Sequence, residues 1–173
     1  LDEMGINNNT HSFIRGYGKK GDKSKQPILT KSAKRVSSNM ISAINNSGNF
    51  RFMVYEENMN IELFIKFLRQ LINGQNKKIF LILDNLRVHH AHLVRDWLAL
   101  HKDEIEVYYL PSYSPEMNAD EYLNGDLKHR IRSAASARNI KQLKHTFVGY
   151  MRKLQKHPER VKSYFRHRDI AYA

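Results

Sequence analysis

The sequence predicts an α/β fold in which a mixed five-stranded sheet carries helices on both faces. One reason is the order of patterns along the chain, which reads as three strands, a helix, a strand, a helix, a strand and then further helices. A second reason is the run IFLIL at 79–83, because an uninterrupted apolar strand is typical of a sheet covered on both sides. The length of 173 residues suits one domain with its own core.

The first three strands are expected to form an antiparallel meander. The opening LDEMGI has the pattern of the end of a short strand, and residues 35–57 read as two strands joined at Asn46, Ser47 and Gly48. Between them, residues 15–27 contain three glycines, one proline and five Lys or Arg residues, which predicts a loop or hairpin tip.

Helices and strands alternate in the rest of the chain. Residues 60–74 predict an amphipathic helix with Asn60 as N-cap and Gly74 as C-cap. Two right-handed crossovers after a meander give the element order of ribonuclease-H-like folds. Trp97 lies among apolar residues and is expected in the core. The remaining predicted elements are a strand at 78–84, a helix at 91–102, a strand at 105–110 and helices at 119–132 and 140–156.

The composition of the chain indicates which class of partner it binds. Lysine and arginine number 29 against 17 acids, a net charge of +12, which predicts a polyanionic partner, with nucleic acid ahead of a membrane surface. The absence of cysteine excludes disulfides and thiolate metal sites, and a cytoplasmic setting is expected. No apolar run is long enough to cross a membrane. The sequence also contains no phosphate-binding glycine loop, so ATP is not implied.

Three acids fall at comparable places in the predicted fold. Asp2 lies near the end of the first strand, Asp84 ends the fourth, and Glu121 lies in the first turn of the helix after the fifth. Taken alone, Asp84 has an alternative role, in which it begins a turn with Asn85 or caps the next helix. The first and fourth strands are neighbours in such a sheet, so three carboxylates would gather and repel each other unless a cation neutralised them. All-oxygen ligation suits two Mg²⁺ or Mn²⁺ ions and predicts hydrolysis or transfer at a phosphodiester.

Three segments carry a family resemblance. DEMG at 2–5, LDNLRVHHAHLVRDWL at 83–98 and YLPSYSPEMNADEYLNGDLK at 109–128 resemble the catalytic domain of DDE transposases, in particular the bacterial insertion-sequence branch of the mariner-like superfamily. The resemblance implies the triad Asp2, Asp84 and Glu121. The 36 residues between the last two match the spacing usual in that superfamily. Ala119 stands where the family commonly has proline.

Other acids compete for the third position of the triad. Glu116 precedes the helix and Asp120 adjoins Glu121, whereas Glu3 adjoins Asp2 but would point to the opposite face of the sheet. The ranking of Glu121 above Glu116 and Asp120 rests mainly on the family pattern.

Several basic residues could hold DNA phosphates. Lys128 and Arg132 follow Glu121 by seven and eleven residues, within about 20° of it around a helix. Arg87 and His89 follow Asp84 within the family's pattern, although a zinc site at the neighbouring histidines is disfavoured by irregular spacing. For the helix and loop cations, an ordinary solvated surface is the alternative. The lysines expected to contact DNA from the loop are Lys19, Lys20, Lys23 and Lys25.

The resemblance implies that residues 1–173 are a transposase catalytic domain that nicks DNA at element ends and joins the freed 3′-hydroxyl to target DNA. The alternatives are a host ribonuclease-H-like nuclease without strand transfer and an inactive DNA-binding remnant. The chain has no initiator methionine and no helix-turn-helix region, so we expect an N-terminally truncated domain that is nearly inactive alone. A homodimer on element ends and a place at the bacterial nucleoid are expected.

Overall fold

The alternating patterns of the sequence form strands and α-helices in the order expected. The computed structural model describes residues 1–7, 36–112, 114–133, 137 and 139–170. Short 3₁₀ turns cover Arg87–His90, Pro115–Met117 and Arg168–Ile170. The strands and helices are β1 (Asp2–Asn7), β2 (Ser37–Ile44), β3 (Phe50–Tyr55), α1 (Ile61–Ile72), β4 (Ile79–Leu83), α2 (His92–Leu100), β5 (Ile105–Tyr109), α3 (Ala119–Ser133), α4 (Ile140–Gln155) and α5 (Pro158–Tyr164).

The strands form two sheets rather than the single five-stranded sheet that the sequence predicts. β1, β2 and β3 pair antiparallel as the expected meander, and β4 pairs with β5 in parallel. The backbone nitrogen of Leu1 donates to the carbonyl oxygen of Ile82 at 2.7 Å and so connects β1 to the end of β4. A ladder needs residues opposite each other over several positions. No such ladder joins β1 and β4 among the described residues, so the five strands fall into two sheets.

Helices cover both faces of the three-stranded sheet, because side chains alternate along each strand. Met40 faces a cluster that includes Leu123 and Phe147 from α3 and α4. Its neighbour Ile41 faces a second cluster with Phe64 from α1 and Trp97 from α2. The expectation that Trp97 belongs to the core is therefore confirmed.

The apolar strand β4 is not covered on both faces by the described residues. Leu81 and Leu83 are buried against α1 and α2, as the cluster around Phe64 shows. Phe80, which points the other way, is 64% exposed and lies beside Tyr108 of β5. The uninterrupted apolar run thus identified the strand correctly but overstated its burial.

Helix α1 has the predicted N-cap, Asn60, but its C-cap is Asn73 rather than the predicted Gly74. The side-chain oxygen of Asn60 accepts from the backbone nitrogen of Leu63 at 2.9 Å, and Gly74 follows the helix with a φ of +72°. The buried face consists of Phe64, Phe67, Leu68 and Leu71. None of the helices in the described ranges has both the length and the apolar character that a membrane span requires.

A carboxylate-lined candidate active site

The three acids singled out in the sequence line one cleft of about 420 Å³. Asp84 directly follows β4, and Glu121 lies in the first turn of α3, as predicted. Asp2 is the first residue of β1 and does not lie near the end of that strand. The segment after β5 also lines the cleft, through Leu110, Pro111, Ser112, Ser114, Pro115 and Asn118.

Asp2 is held from two sides. Its Oδ1 accepts from the backbone nitrogen of Glu3 at 2.9 Å, and its Oδ2 accepts from the side-chain nitrogen of Asn124 at 2.7 Å. Burial, together with the charges of Glu121 and Asp120, raises the pKa of Asp2 to about 7. The site therefore concentrates negative charge in a poorly solvated place, which a cation would relieve.

The acids that compete with Glu121 lie elsewhere. Asp120 is buried and points away from the cleft, accepting from the hydroxyl of Ser42 at 2.8 Å and the backbone nitrogen of Ile44 at 3.3 Å. Its burial raises its pKa, and its hydrogen bonds fasten the start of α3 to β2. Glu116 is exposed in a 3₁₀ turn and does not line the cleft. This placement favours Glu121 as the third acid.

Asp84 adjoins a buried histidine. The Nδ1 of His89 lies 3.1 Å from the carbonyl oxygen of Asp84 and 3.2 Å from its Oδ1, and the Nε2 lies 3.5 Å from Oε1 of Glu3. The two carboxylate contacts are at ion-pair distance but lack hydrogen-bond geometry. Burial lowers the pKa of His89, and the neighbouring Asp84 and Glu3 outweigh that effect and raise it to about 9.

The residues predicted to bind DNA are placed unequally. Arg87 is exposed beside the cleft, and Lys128 is exposed on α3, the helix to which Arg132 also belongs. His89 is fully buried, and this contradicts the predicted DNA contact, because a side chain beneath the surface cannot reach a phosphate. The four loop lysines Lys19, Lys20, Lys23 and Lys25 lie outside the described residues.

The donor atoms suit a hard cation. Among the described residues, no three His, Asp or Glu side chains stand close enough to hold a metal ion by themselves. Asp2, Asp84 and Glu121 nevertheless bring carboxylate oxygens to one cleft, and Asn118 adds an amide. Mg²⁺ and Mn²⁺ prefer such oxygen donors, and Mg²⁺ commonly keeps waters and completes its shell with substrate phosphates. The residues present therefore fit such an ion.

Sequence reasoning missed the polar residues that hold the acids in place. Asn124 binds Asp2, and Asn118 donates to the carbonyl oxygen of Leu1 at 3.1 Å while its own oxygen accepts from the backbone of Asp120 at 3.2 Å. Both asparagines are buried. The signal available was their position within the 109–128 motif, since Asn124 lies three residues after Glu121 on the same helix.

Solved structures share the fold of this chain at low identity. The Mos1 mariner paired end complex with Mn matches at 17% identity, with a TM-score of 0.65, covering 99% of this chain and 54% of that one. The catalytic domain of Mos1 mariner transposase matches at 16% identity, with a TM-score of 0.57, covering 79% of this chain and 74% of that one. A Mos1 transposase paired-end complex with left transposon end matches at 18% identity and a TM-score of 0.59.

The chain spans about half the length of the Mos1 transposase found in that paired-end complex, 53% of it. No curated protein matches the sequence. A family model described as DDE superfamily endonuclease matches residues 1–144, which include the three acids of the cleft, all five described strands and helices α1 to α3. The α/β fold, the shared cleft of Asp2, Asp84 and Glu121 and this match agree, and the chain belongs to the DDE superfamily endonucleases.

Proposed function

We propose that this chain is the catalytic domain of a DNA transposase, which nicks DNA and then joins the freed 3′-hydroxyl to target DNA. The observation that carries the proposal is the convergence of Asp2, Asp84 and Glu121, from three separate elements, on one cleft. Both steps are in-line displacements at phosphorus. Water first displaces the 3′-oxygen of the element strand, which takes up a proton, and that hydroxyl then displaces a 3′-oxygen of the target strand.

The three acids would hold two divalent ions, Mg²⁺ or Mn²⁺. Bound there, the ions would activate the attacking oxygen and stabilise the leaving one. Asp2 and Asp84 supply the resident ligands in this proposal, and Glu121 contributes mainly when DNA is present. Asn124 keeps the carboxylate of Asp2 oriented into the cleft.

A plasmid-nicking assay tests the activity. Because the domain is expected to be nearly inactive alone, we expect weak nicking of supercoiled DNA that still requires Mg²⁺ or Mn²⁺ and is abolished by Asp84→Asn. The matched control is Asp96→Asn, because Asp96 is an exposed aspartate on α2 that pairs with His92 and lies outside the cleft. Metal-dependent nicking that survives Asp84→Asn would remove this acid from the triad.

Strand transfer separates a transposase from a plain nuclease. We expect a labelled oligonucleotide with a free 3′-hydroxyl to become covalently joined to plasmid DNA in the presence of Mn²⁺. A 3′-deoxy oligonucleotide is the control, since it lacks the attacking oxygen. Nicking without joining would instead favour a ribonuclease-H-like nuclease.

The proposed DNA path runs along α3 from the cleft. Glu121, Gly125 and Lys128 lie on one side of this helix, spaced by four and three residues, and Gly125 and Lys128 are exposed. Arg132 continues the same line by its position in the helix. Arg87 flanks the cleft from the other side, and we propose that these cations contact phosphates, as the loop lysines also would.

The salt dependence of binding tests this path. Lys128→Ala should weaken binding to random DNA and to element-end DNA alike. It should also lower the slope of log affinity against log salt concentration by about 1, because one phosphate contact is lost. Lys66→Ala is the control, since Lys66 is exposed on α1, which covers the opposite face of the three-stranded sheet. An unchanged slope with altered sequence preference would contradict a phosphate contact.

The assembly is proposed to be a homodimer that forms on two element ends. The support is the low-identity fold match to a transposase solved as a paired-end complex. Light scattering with and without element-end duplexes would measure it, and a monomer in both conditions would argue against it.

A further inference from the structure

Asp2 and Glu3 lie next to each other on β1 and point to opposite sides. Asp2 faces α3, where Asn124 holds it. Glu3 faces the other way, towards His89, and its side chain is only 16% exposed. The strand therefore presents one acid to the cleft and the next to the packed side behind it.

His89 is held rigidly at the centre of this packed side. Its ring lies 4.4 Å from the ring of Phe64, centroid to centroid, and is fully buried. Its carbonyl oxygen accepts from the hydroxyl of Tyr109 at 3.2 Å. One ring nitrogen lies against the backbone and side chain of Asp84, and the other lies 3.5 Å from Glu3. The imidazole thus connects the residue after β4 to a residue of β1.

In the described part of the chain, no ladder of backbone hydrogen bonds joins these two strands. The Leu1 nitrogen donates to Ile82 at the tip of β4, and β1 belongs to a different sheet from β4. Because Asp2 lies on β1 and Asp84 follows β4, the contacts of His89 with Asp84 and Glu3 join the two segments that carry the cleft acids. Small errors matter here, since about 1 Å of misplacement can cost roughly a hundredfold in rate.

Stability alone does not account for this arrangement. Oε1 of Glu3, Oδ1 of Asp84 and Nε2 of His89 are buried, yet none makes a hydrogen bond of good geometry. Apolar side chains of similar volume often stabilise such a position as well as a buried ionic group, or better. A polar bridge at this place points to a positional role.

We propose that Glu3 and His89 are positioning residues, and that the Glu3–His89–Asp84 bridge sets the placement of Asp84 relative to Asp2 for metal binding. The inference rests on the proposed function of the cleft. In that proposed function, neither Glu3 nor His89 touches DNA or a reacting atom. Outer residues that orient metal ligands typically change metal affinity by about 10–100-fold when they are replaced.

The test measures Mn²⁺ affinity by calorimetry in His89→Phe, Glu3→Gln and the double variant. Phenylalanine keeps a ring against Phe64 and removes both nitrogens. We expect Mn²⁺ affinity to fall at least about tenfold in a chain that stays folded, with a lower melting temperature because the charge of Glu3 loses its partner. Glu3→Gln should also lower the Mn²⁺ affinity. The double variant should bind Mn²⁺ about as tightly as the single variant with the lower affinity, because both changes break the same bridge.

His92→Gln is the matched control. His92 is an exposed histidine that also pairs with a carboxylate, its Nδ1 lying 2.8 Å from Oδ2 of Asp96, and its replacement should change nothing. Metal-free DNA affinity should also stay unchanged in His89→Phe, which separates a positional effect from general damage. His89→Asn, which retains a donor towards Asp84 at the place of Nδ1, should recover part of the Mn²⁺ affinity.

Wild-type Mn²⁺ affinity in a folded His89→Phe or Glu3→Gln variant would overturn the inference. The outcome is separable from that of the proposed function. A wild-type chain that binds Mn²⁺ but never nicks DNA would refute the proposed reaction and leave the bridge testable by calorimetry. Nicking by the wild-type chain with unchanged Mn²⁺ affinity in the variants would refute the bridge alone.

Discussion

At the scale of single residues, the cleft depends on amides as much as on acids. Asn124 binds the carboxylate of Asp2, and the hydrogen bond is buried. An acid in this position would repel Asp2, and an apolar residue would leave its Oδ2 without a donor. Residues of this kind have no chemistry of their own in the reaction, but they decide where the reactive oxygens lie.

Replacing Asn124 should therefore cost both stability and metal affinity. Asn124→Leu keeps the side-chain size but removes the donor, and we expect a loss of about 1–3 kcal/mol in the free energy of unfolding. Urea unfolding and Mn²⁺ calorimetry measure the two effects. Asn45→Leu is a suitable comparison, because Asn45 makes its side-chain hydrogen bond in an exposed turn. Equal losses in the two variants would contradict a special role for Asn124.

The raised pKa of Asp2 predicts a pH dependence. The carboxyl group binds its proton more tightly in the folded chain, with a pKa of about 7 against an ordinary value of 3.8. Its contribution to stability is thus fully present below about pH 4 and is lost as the pH rises towards 7. Without metal, the free energy of unfolding of the wild-type chain should fall across this pH range. In Asp2→Asn it should fall by a smaller amount.

Urea unfolding at several pH values, without and with Mn²⁺, measures this effect. Mn²⁺ should restore stability near neutral pH in the wild-type chain, because it replaces the proton as the neutralising cation, and should do so less in Asp2→Asn. A wild-type profile parallel to that of Asp2→Asn would show that Asp2 titrates normally.

At the scale of elements, α3 does two things at once. Asp120 in its first turn fastens the helix to β2, and the next residue, Glu121, faces the cleft. Further along, Leu123 and Leu127 are buried in the core while Gly125 and Lys128 are exposed. The helix therefore carries the third acid on a rigid support that leads out of the site.

Gly125 is unexplained by packing within the chain. A Cβ atom there would meet nothing within 4 Å, and the same holds for Gly149 in the middle of α4. Alanine at either position should stabilise its helix by roughly 0.5–1 kcal/mol. Thermal unfolding of Gly125→Ala and Gly149→Ala would measure this gain.

A substitution with a larger side chain should affect DNA binding differently at the two glycines. On the proposed DNA path, Gly125→Gln should lower DNA affinity, because the side chain would project one turn after Glu121. Gly149→Gln, on a different helix, is the matched control and should bind DNA normally. Fluorescence anisotropy with a metal-free duplex provides the measurement, and equal affinities would move the path away from this side of α3.

At the scale of the whole molecule, the β2–β3 hairpin contacts the C-terminal helices. Gly48 in its turn has a φ of +86°, and a Cβ atom added there would lie 2.5 Å from the carbonyl oxygen of Pro158. Pro158 begins α5, a seven-residue helix that the sequence reading did not anticipate. The ion pair of Arg160 with Asp126 then joins α5 to α3.

Gly48→Ala should consequently be more harmful than an ordinary turn substitution. The left-handed backbone alone costs an alanine roughly 1–2 kcal/mol, and the contact with the Pro158 backbone adds to that. Gly74→Ala is the control, because Gly74 has a φ of +72° but open space around it. Chemical unfolding of both variants would show equal losses if the hairpin and α5 were not in contact.

Local patterns in the sequence determined much of this protein. The N-cap and apolar face of α1, the strand at 79–83, the meander and the three acids follow from period, turn residues and motif, all of which act over short distances along the chain. The family was predicted from the same segments and is confirmed. The bacterial insertion-sequence branch stays a prediction.

Only the tertiary structure decided how distant segments meet. The 109–128 motif could not show that Asp120 turns inwards to Ser42 while Glu121 faces the cleft, since adjacent residues of a helix differ by about 100° in direction. Nor could the LDNLRVHH pattern show that His89 is buried against Glu3, a contact across 86 positions of sequence. Two sheets formed in place of one because pairing depends on which residues lie level across strands, and no local pattern contains that information.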